Sequence, residues 1–156
     1  MKVGVLALQG DFENHIKILN EINIDTKKVR YEDDFDLLDG LIIPGGESTA
    51  ISNLINKQGL YKRINKFINT KPVYATCAGL ILLSSIIINN TQSIKNIKLF
   101  KILDIKMQRN GWGRQIESFT EEIKIKSFKK KYKAMFIRAP KIISLNKNIE
   151  ILSEFS

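Results

Sequence analysis

Cys77 is the residue whose type and setting most directly suggest chemistry. An apolar, strand-like stretch at 73–75 runs straight into Thr76-Cys77-Ala78-Gly79, and a helical pattern follows. A tight strand-to-helix turn exposes its side chain, small neighbours leave room for a substrate, and a helix N-terminus lowers a thiol pKa. Backbone N–H groups at the same helix start can stabilise an oxyanion. A lone cysteine is more often a small buried residue, but this setting predicts a nucleophile.

A second polar motif, Pro44-Gly45-Gly46-Glu47-Ser48, follows another short apolar run. Its two glycines permit backbone conformations that present N–H groups to a ligand. The alternative is a turn followed by a helix cap, for which Ser48 and Thr49 are good candidates. A phosphate-binding loop is disfavoured, because no lysine follows Gly46 at the required spacing.

The second half of the chain contributes candidate carboxylate-binding arginines. Arg109, Arg114 and Arg138 lie beside predicted strand ends, and a guanidinium can hold a carboxylate in a bidentate pair. For any one of them, a surface charge is the alternative. His15, the only histidine, lies near the start of the first predicted helix, where solvent or a partner is favoured over catalysis. One histidine and one cysteine cannot build a structural zinc site, so no metal is predicted.

Alternating strands and helices would bring these motifs together. Apolar runs predict strands at 3–8, 26–31, 41–43 and 73–75, and helical spacing predicts helices at 12–22, from 48 onward, at 59–69 and at 80–88. Further strands are predicted at 102–108, 122–126 and 134–137, with a polar connection at 89–98.

This pattern predicts one α/β domain over residues 1–156, with a mostly parallel sheet covered by helices on both faces in three layers. Such sheets place their sites at the carboxyl ends of the strands. The segment Gln9-Gly10, the glycine motif and the Cys77 motif all follow predicted strands, and we therefore expect them to converge.

Composition narrows the class of protein. The chain has 156 residues, 44% of them hydrophobic, and its longest apolar run, at 78–88, is about half of a roughly 20-residue transmembrane helix. The N-terminus has no signal-peptide cleavage site, and a single cysteine suits a reducing cytoplasm.

The net charge is +9, and residues 90–147 hold 15 Lys or Arg against 4 Asp or Glu. This asymmetry marks either a face for nucleic acid or an acidic partner, or solvated surfaces that have drifted basic. The run Lys129-Lys130-Lys131 lies beside turn residues and has no aromatic residues interleaved in it, which favours the latter, so no nucleic-acid partner is predicted.

Together the motifs resemble the glutaminase subunits of pyridoxal 5'-phosphate (vitamin B6) synthase, which are class I glutamine amidotransferases. The resemblance covers essentially the whole chain. The segments that carry it are Gly4 to Gly10, Pro44 to Thr49, Thr76 to Leu80, Arg109-Asn110, Gly113-Arg114-Gln115, Ser118-Phe119 and Phe136-Ile137-Arg138-Ala139-Pro140.

The resemblance implies a flavodoxin-like fold and specific roles for matching residues. Cys77 would attack the side-chain amide of L-glutamine, and Gly46 and Ala78 would supply the oxyanion-hole N–H groups. Substrate binding would fall to Gly46, Glu47, Ser48, Arg109, Ile137 and Arg138. The helix from Asp11 to Ile22 would meet the barrel-shaped synthase subunit, which receives the ammonia. Pyridoxal phosphate would be the product of the complex, and no bound cofactor is predicted.

The chain departs from the family pattern at its end. The family activates its thiol with a His-Pro-Glu motif on a late strand, and the chain ends at Ser156 before that segment, its last strands and its last helix would arrive. Two interpretations therefore remain open at this point. The chain is either an active glutaminase whose missing segment comes from further sequence or from elsewhere, or a catalytically dead homologue that binds the synthase as a structural partner. The second predicts an open sheet edge and exposed core residues.

Overall fold

A four-stranded parallel sheet organises the first half of the chain. The computed structural model describes residues 1–88, 96–112, 118–137 and 140–154. The sheet has the order β2-β1-β3-β4, and its strands are β1 (Lys2–Leu6), β2 (Asp25–Val29), β3 (Gly40–Ile43) and β4 (Val73–Ala75). Every pairing is parallel, with Val5 opposite both Lys28 and Ile42, and Ile43 opposite Ala75. The mostly parallel α/β architecture agrees with the sequence pattern.

Four helices connect and cover these strands. They are α1 (Phe12–Glu21), α2 (Ser48–Lys57), α3 (Tyr61–Ile68) and α4 (Ala78–Leu83), and a short 3₁₀ helix spans Glu32–Phe35. Side chains of β1, β3, α2, α3 and α4 share one core, in which the most deeply buried include Leu6, Leu41, Ile43, Ile51, Ile55, Ile64 and Leu82. None of the described helices is long and apolar enough to cross a membrane.

The second half forms smaller, mostly antiparallel pairings. Its strands are β5 (Ser84–Ile87), β6 (Leu103–Gln108), β7 (Phe119–Lys124), β8 (Lys131–Phe136) and β9 (Lys141–Leu145). β6 pairs parallel with β5 and antiparallel with β9, while β7 and β8 form a separate antiparallel pair. Arg109 directly follows β6, and Ile137 directly follows β8.

One sequence prediction fails in this region, and one strand was not predicted. The helix predicted over 80–88 ends after one and a half turns at Leu83, and β5 begins at Ser84. The serine pair and the three isoleucines that follow explain the change, because serine competes with helical backbone bonds and β-branched side chains favour strands. β9 was not predicted at all. The polar connection at 89–98 lies mostly outside the described residues, which resume at Asn96.

Candidate functional site

The nucleophile candidate occupies a strained turn between β4 and α4. Cys77 has φ +46° and ψ −105°, a conformation that a non-glycine residue holds only when its surroundings enforce it. Hydrogen bonds fix the turn on both sides: Thr76 N–H donates to Ile43 O at 3.1 Å, and Gly79 N–H donates to Thr76 O at 2.8 Å. The Cys77 side chain is half-buried and makes no disulfide.

Close packing requires a glycine immediately after this turn. A Cβ on Gly79 would lie 2.2 Å from the carbonyl oxygen of Ile43, which is too close for any larger residue. The glycine therefore lets α4 begin directly against β3. This contact holds Cys77 at the carboxyl end of the sheet, where the sequence pattern predicted it.

The glycine motif packs against the Cys77 turn. A Cβ on Gly45 would lie 3.3 Å from the Cβ of Cys77, so the two loops pack too closely to leave free space for a side chain at position 45. The segment after β1 touches the other side of the motif, because Asp11 N–H donates to Gly45 O at 3.1 Å and Glu47 N–H donates to Gln9 Oε1 at 3.0 Å. The three motifs that follow β1, β3 and β4 thus converge as expected.

Glu47, and not Ser48 or Thr49, caps α2. Its carboxylate accepts hydrogen bonds from Thr49 N–H at 3.1 Å and Ala50 N–H at 2.6 Å. Ser48, one of the two predicted caps, is 2% exposed, and its Oγ has no hydrogen-bond partner in the described structure. An ionised carboxylate is the stronger acceptor for helix N–H groups, which explains why Glu47 takes this position.

Arg109 completes a charged pair on the glycine motif. Its Nη2 donates to Glu47 Oε1, and its Nη1 lies 3.3 Å from Thr49 Oγ1. Burial raises the pKa of Glu47, but the N–H donors of Thr49 and Ala50 and the charge of Arg109 outweigh it, so the pKa lies below its usual value. The site therefore presents a carboxylate and a guanidinium side by side, next to the thiol loop.

The lowered pKa of Glu47 predicts a pH-dependent contribution to stability. A depressed pKa means that the ionised form stabilises the fold above the ordinary glutamate pKa, and that this contribution is lost as the pH falls through the lowered pKa. At pH 7 we expect Glu47→Gln to reduce the free energy of unfolding by about 1 kcal/mol, the usual cost of impairing an N-cap. Urea unfolding at pH 7 and at pH 3 measures the difference, which should be smaller at the acidic pH.

Glu13→Gln is the matched control for this measurement. Glu13 is another first-turn carboxylate, but its side chain is 63% exposed and pairs with Lys28 on the surface. Exposed pairs of this kind contribute little. An acid-insensitive difference between wild type and Glu47→Gln would contradict the assignment.

His15 lies closer to the nucleophile turn than the sequence suggested. It is half-buried, its Nε2 is 3.5 Å from Thr76 Oγ1, and its ring packs edge-on against Tyr74 with centroids 6.3 Å apart. Sequence reasoning placed it in solvent or against a partner. Its position in the sequence could have predicted this placement. His15 lies in the first turn of the helix that follows Gln9-Gly10, and that turn starts at the carboxyl edge of the sheet.

The other predicted site residues are placed only in part. Ala78 is the first residue of α4 and is fully buried, and Ile137 is 55% exposed at the end of β8. Arg114 and Arg138 lie outside the described residues. Within the described part of the chain, no three His, Cys, Asp or Glu side chains are grouped to hold a metal ion.

This geometry suits acyl transfer through a cysteine. A thiol on a fixed strand-to-helix turn, N–H groups from a glycine loop and a helix start, and an adjacent charged pair are the parts that a covalent attack on an amide needs. The fold and the candidate site together suit the class of amidotransferases that work through a cysteine.

Comparison with known proteins identifies the family. The model of the SNO glutamine amidotransferase family matches residues 5–156, and the chain belongs to this family. The family resemblance inferred from the motifs is thereby confirmed, as is the glutamine amidotransferase class of enzyme. The 156 residues nevertheless contain no His-Pro-Glu sequence.

Individual relatives agree with the family model. The chain is 42% identical over 156 residues to the "pyridoxal 5'-phosphate synthase subunit PdxT" of Thermosipho africanus (strain TCF52B), covering 99% of this chain and 80% of that protein. It is 40% identical over 154 residues to the protein of the same name in Francisella tularensis subsp. tularensis (strain WY96-3418), covering 99% and 79%. A solved structure described as a crystal structure of glutamine amidotransferase superposes with a TM-score of 0.87 at 35% identity, over 98% of this chain and 79% of that one. The predicted fold class is therefore confirmed.

Proposed function

We propose that the chain is the glutaminase subunit of pyridoxal 5'-phosphate synthase. In this role it hydrolyses L-glutamine to glutamate and ammonia, and the ammonia passes to the synthase subunit. The names of the relatives support the assignment. The observation that carries it is the contact between the strained Cys77 turn and the glycine loop, beside the Glu47–Arg109 pair.

The charged pair suits the main-chain end of free glutamine. A free amino acid carries an α-carboxylate and an α-ammonium group, and Arg109 and Glu47 carry the complementary charges. Ser48 Oγ has no hydrogen-bond partner among the described residues, and the family resemblance assigns Ser48 to the same ligand. We also assign Ile137 and Arg138 to this substrate pocket on the family resemblance.

Cys77 carries the reaction in this proposal. Its sulfur attacks the side-chain amide carbon of glutamine, a C–S bond forms, and the C–N bond breaks as the nitrogen takes the proton that the thiol has lost and leaves as ammonia. Water then attacks the thioester and releases glutamate with the free thiol. N–H groups of Gly46 and Ala78 stabilise the oxyanion in both steps, because the first N–H groups of a helix have no intrahelical partner. The family resemblance assigns Gly46 as the donor from the loop, and Glu47 N–H is already bound to Gln9 Oε1.

The outer face of α1 is the proposed contact with the synthase. None of its residues is buried, and Ile18 and Ile22 at its end are 58% and 61% exposed. Exposed apolar side chains on one helix are typical of protein interfaces. We place the protein in the cytoplasm, because the reactive thiol must stay reduced.

Nitrogen tracing tests the proposed function. The chain is mixed with a barrel-shaped synthase subunit, the two sugar phosphates and glutamine labelled with ¹⁵N in its amide group. We expect glutamate release and ¹⁵N in the pyridoxal phosphate product. Unlabelled ammonium chloride in place of glutamine checks that the synthase is competent. A synthase that works with ammonium, together with no glutamate above the buffer background, would contradict the proposal.

Loss of the Arg109 side chain should weaken glutamine binding. A hydrogen bond to a charged group contributes substantially to the free energy of binding. We therefore expect Arg109→Ala to raise the KM for glutamine about tenfold or more, with a smaller change in kcat. Arg63→Ala is the matched control, since Arg63 also pairs with a carboxylate, that of Asp36, and its side chain is 26% exposed against 21% for Arg109. Equal KM values for the two variants would remove Arg109 from the substrate site.

A further inference from the structure

A contact between α1 and the nucleophile turn has no part in the steps above. Thr76 immediately precedes Cys77, and both of its backbone polar groups are already used, N–H by Ile43 O and C=O by Gly79 N–H. Its Oγ1 is directed toward His15 Nε2 at 3.5 Å and lies 3.7 Å from a Cβ built on Gly45. The side chain of Thr76 is therefore the part of the turn that a neighbouring element can still orient.

His15 is held in place for this contact. It lies in the first turns of α1, is half-buried, and packs edge-on against the ring of Tyr74, with an angle of 74° between the ring planes. Tyr74 belongs to β4, the strand that leads into the Cys77 turn. The imidazole thus touches two side chains of the segment that carries the thiol, one through its ring and one through a nitrogen.

We propose that His15 is a positioning residue that sets the Thr76 side chain and, through it, the orientation of the Cys77 thiol. Depending on its tautomer, the imidazole nitrogen donates to or accepts from the Thr76 hydroxyl. Because His15 belongs to α1 and contacts Thr76, the position of the helix on the sheet sets the position of the imidazole at the turn. This inference deepens the proposed glutaminase function, since it links the helix that faces the synthase to the nucleophile.

Alkylation of Cys77 tests the proposal without requiring glutamine turnover. Cys77 is the only cysteine, so the rate constant for iodoacetamide modification, followed by intact mass, reports on this thiol alone. We expect His15→Ala and Thr76→Val each to slow the reaction about fivefold, the worth of one hydrogen bond. The double variant should be no slower than either single variant, because both changes remove the same interaction.

Conservative variants separate positioning from a general loss of structure. His15→Gln and Thr76→Ser keep a side-chain donor and a hydroxyl, and they should restore the wild-type rate. Asn14→Ala is the control for α1, since Asn14 is the neighbouring residue and its amide bonds to Asp11 Oδ1 at 2.7 Å. Unchanged alkylation in His15→Ala, or additive effects in the double variant, would overturn the proposal. Either result would leave the glutaminase assignment to the nitrogen-tracing experiment.

Discussion

Replacing Cys77 by alanine is expected to lower glutamate release to the buffer background, a loss of at least about a thousandfold. Without the sulfur no thioester can form, and the N–H groups and the charged pair that remain have no nucleophile to assist. Alanine fits the same turn with one atom fewer, so the melting temperature should change little. Release of glutamate is measured from L-glutamine in the presence of the synthase subunit, at matched protein concentrations.

Ser127→Ala is the control that matches this change most closely. Ser127 is also a small residue at positive φ, +71°, and it lies in the turn between β7 and β8. Its variant should release glutamate at the wild-type rate. If Cys77→Ala retained the wild-type rate as well, the glutaminase activity would not depend on this thiol and the site would be wrongly assigned.

A single methyl group on Gly10 is expected to disrupt the site and the fold around it. Gly10 has φ +96°, and a Cβ there would lie 1.9 Å from the carbonyl oxygen of Gly45, a backbone atom that cannot move alone. We expect Gly10→Ala to reduce the free energy of unfolding by about 3 kcal/mol, since it adds both overpacking and strain at positive φ. The glycine loop should also be displaced from Cys77, which would reduce glutamate release.

Gly59→Ala isolates the contribution of the clash. Gly59 also has positive φ, +70°, but no atom lies within 4 Å of its hypothetical Cβ. The free energy of unfolding of Gly59→Ala should therefore fall by only about 1 kcal/mol, the cost expected for alanine in a left-handed conformation. Urea unfolding of both variants gives the comparison. Equal losses would mean that Gly10 and Gly45 are not packed as closely as the structure places them.

The sequence was most informative where apolar runs and turn residues agreed. β3 and β4 were predicted almost to the residue, because each short apolar stretch is ended by Pro44 or by Thr76. Since parallel strands share one carboxyl edge, the convergence of the three motifs followed from their order alone. Cys77 was singled out for the same reason.

Features that depend on tertiary contacts were not predictable from local pattern. The pairing of Glu47 with Arg109 joins residues 62 positions apart, which β6 brings together. The end of α4 at Leu83 was missed because an apolar run fits a helix or a buried strand equally well. β9 is a short strand that pairs antiparallel with β6. The positions of its two polar residues do not produce the alternation of apolar and polar side chains that indicates a strand. The contact of His15 with Thr76 depends on where α1 lies along the sheet, which helical spacing does not determine.

The most direct test of the central claim is the intact mass of the chain after incubation with a diazoketone analogue of L-glutamine, which alkylates a thiol placed to attack the side-chain carbonyl. We predict one adduct, located on Cys77 by peptide mapping, whose formation is slowed by excess L-glutamine but not by D-glutamine. An unmodified chain, or an adduct that L-glutamine does not slow, would contradict the claim that Cys77 lies in a glutamine-binding active site.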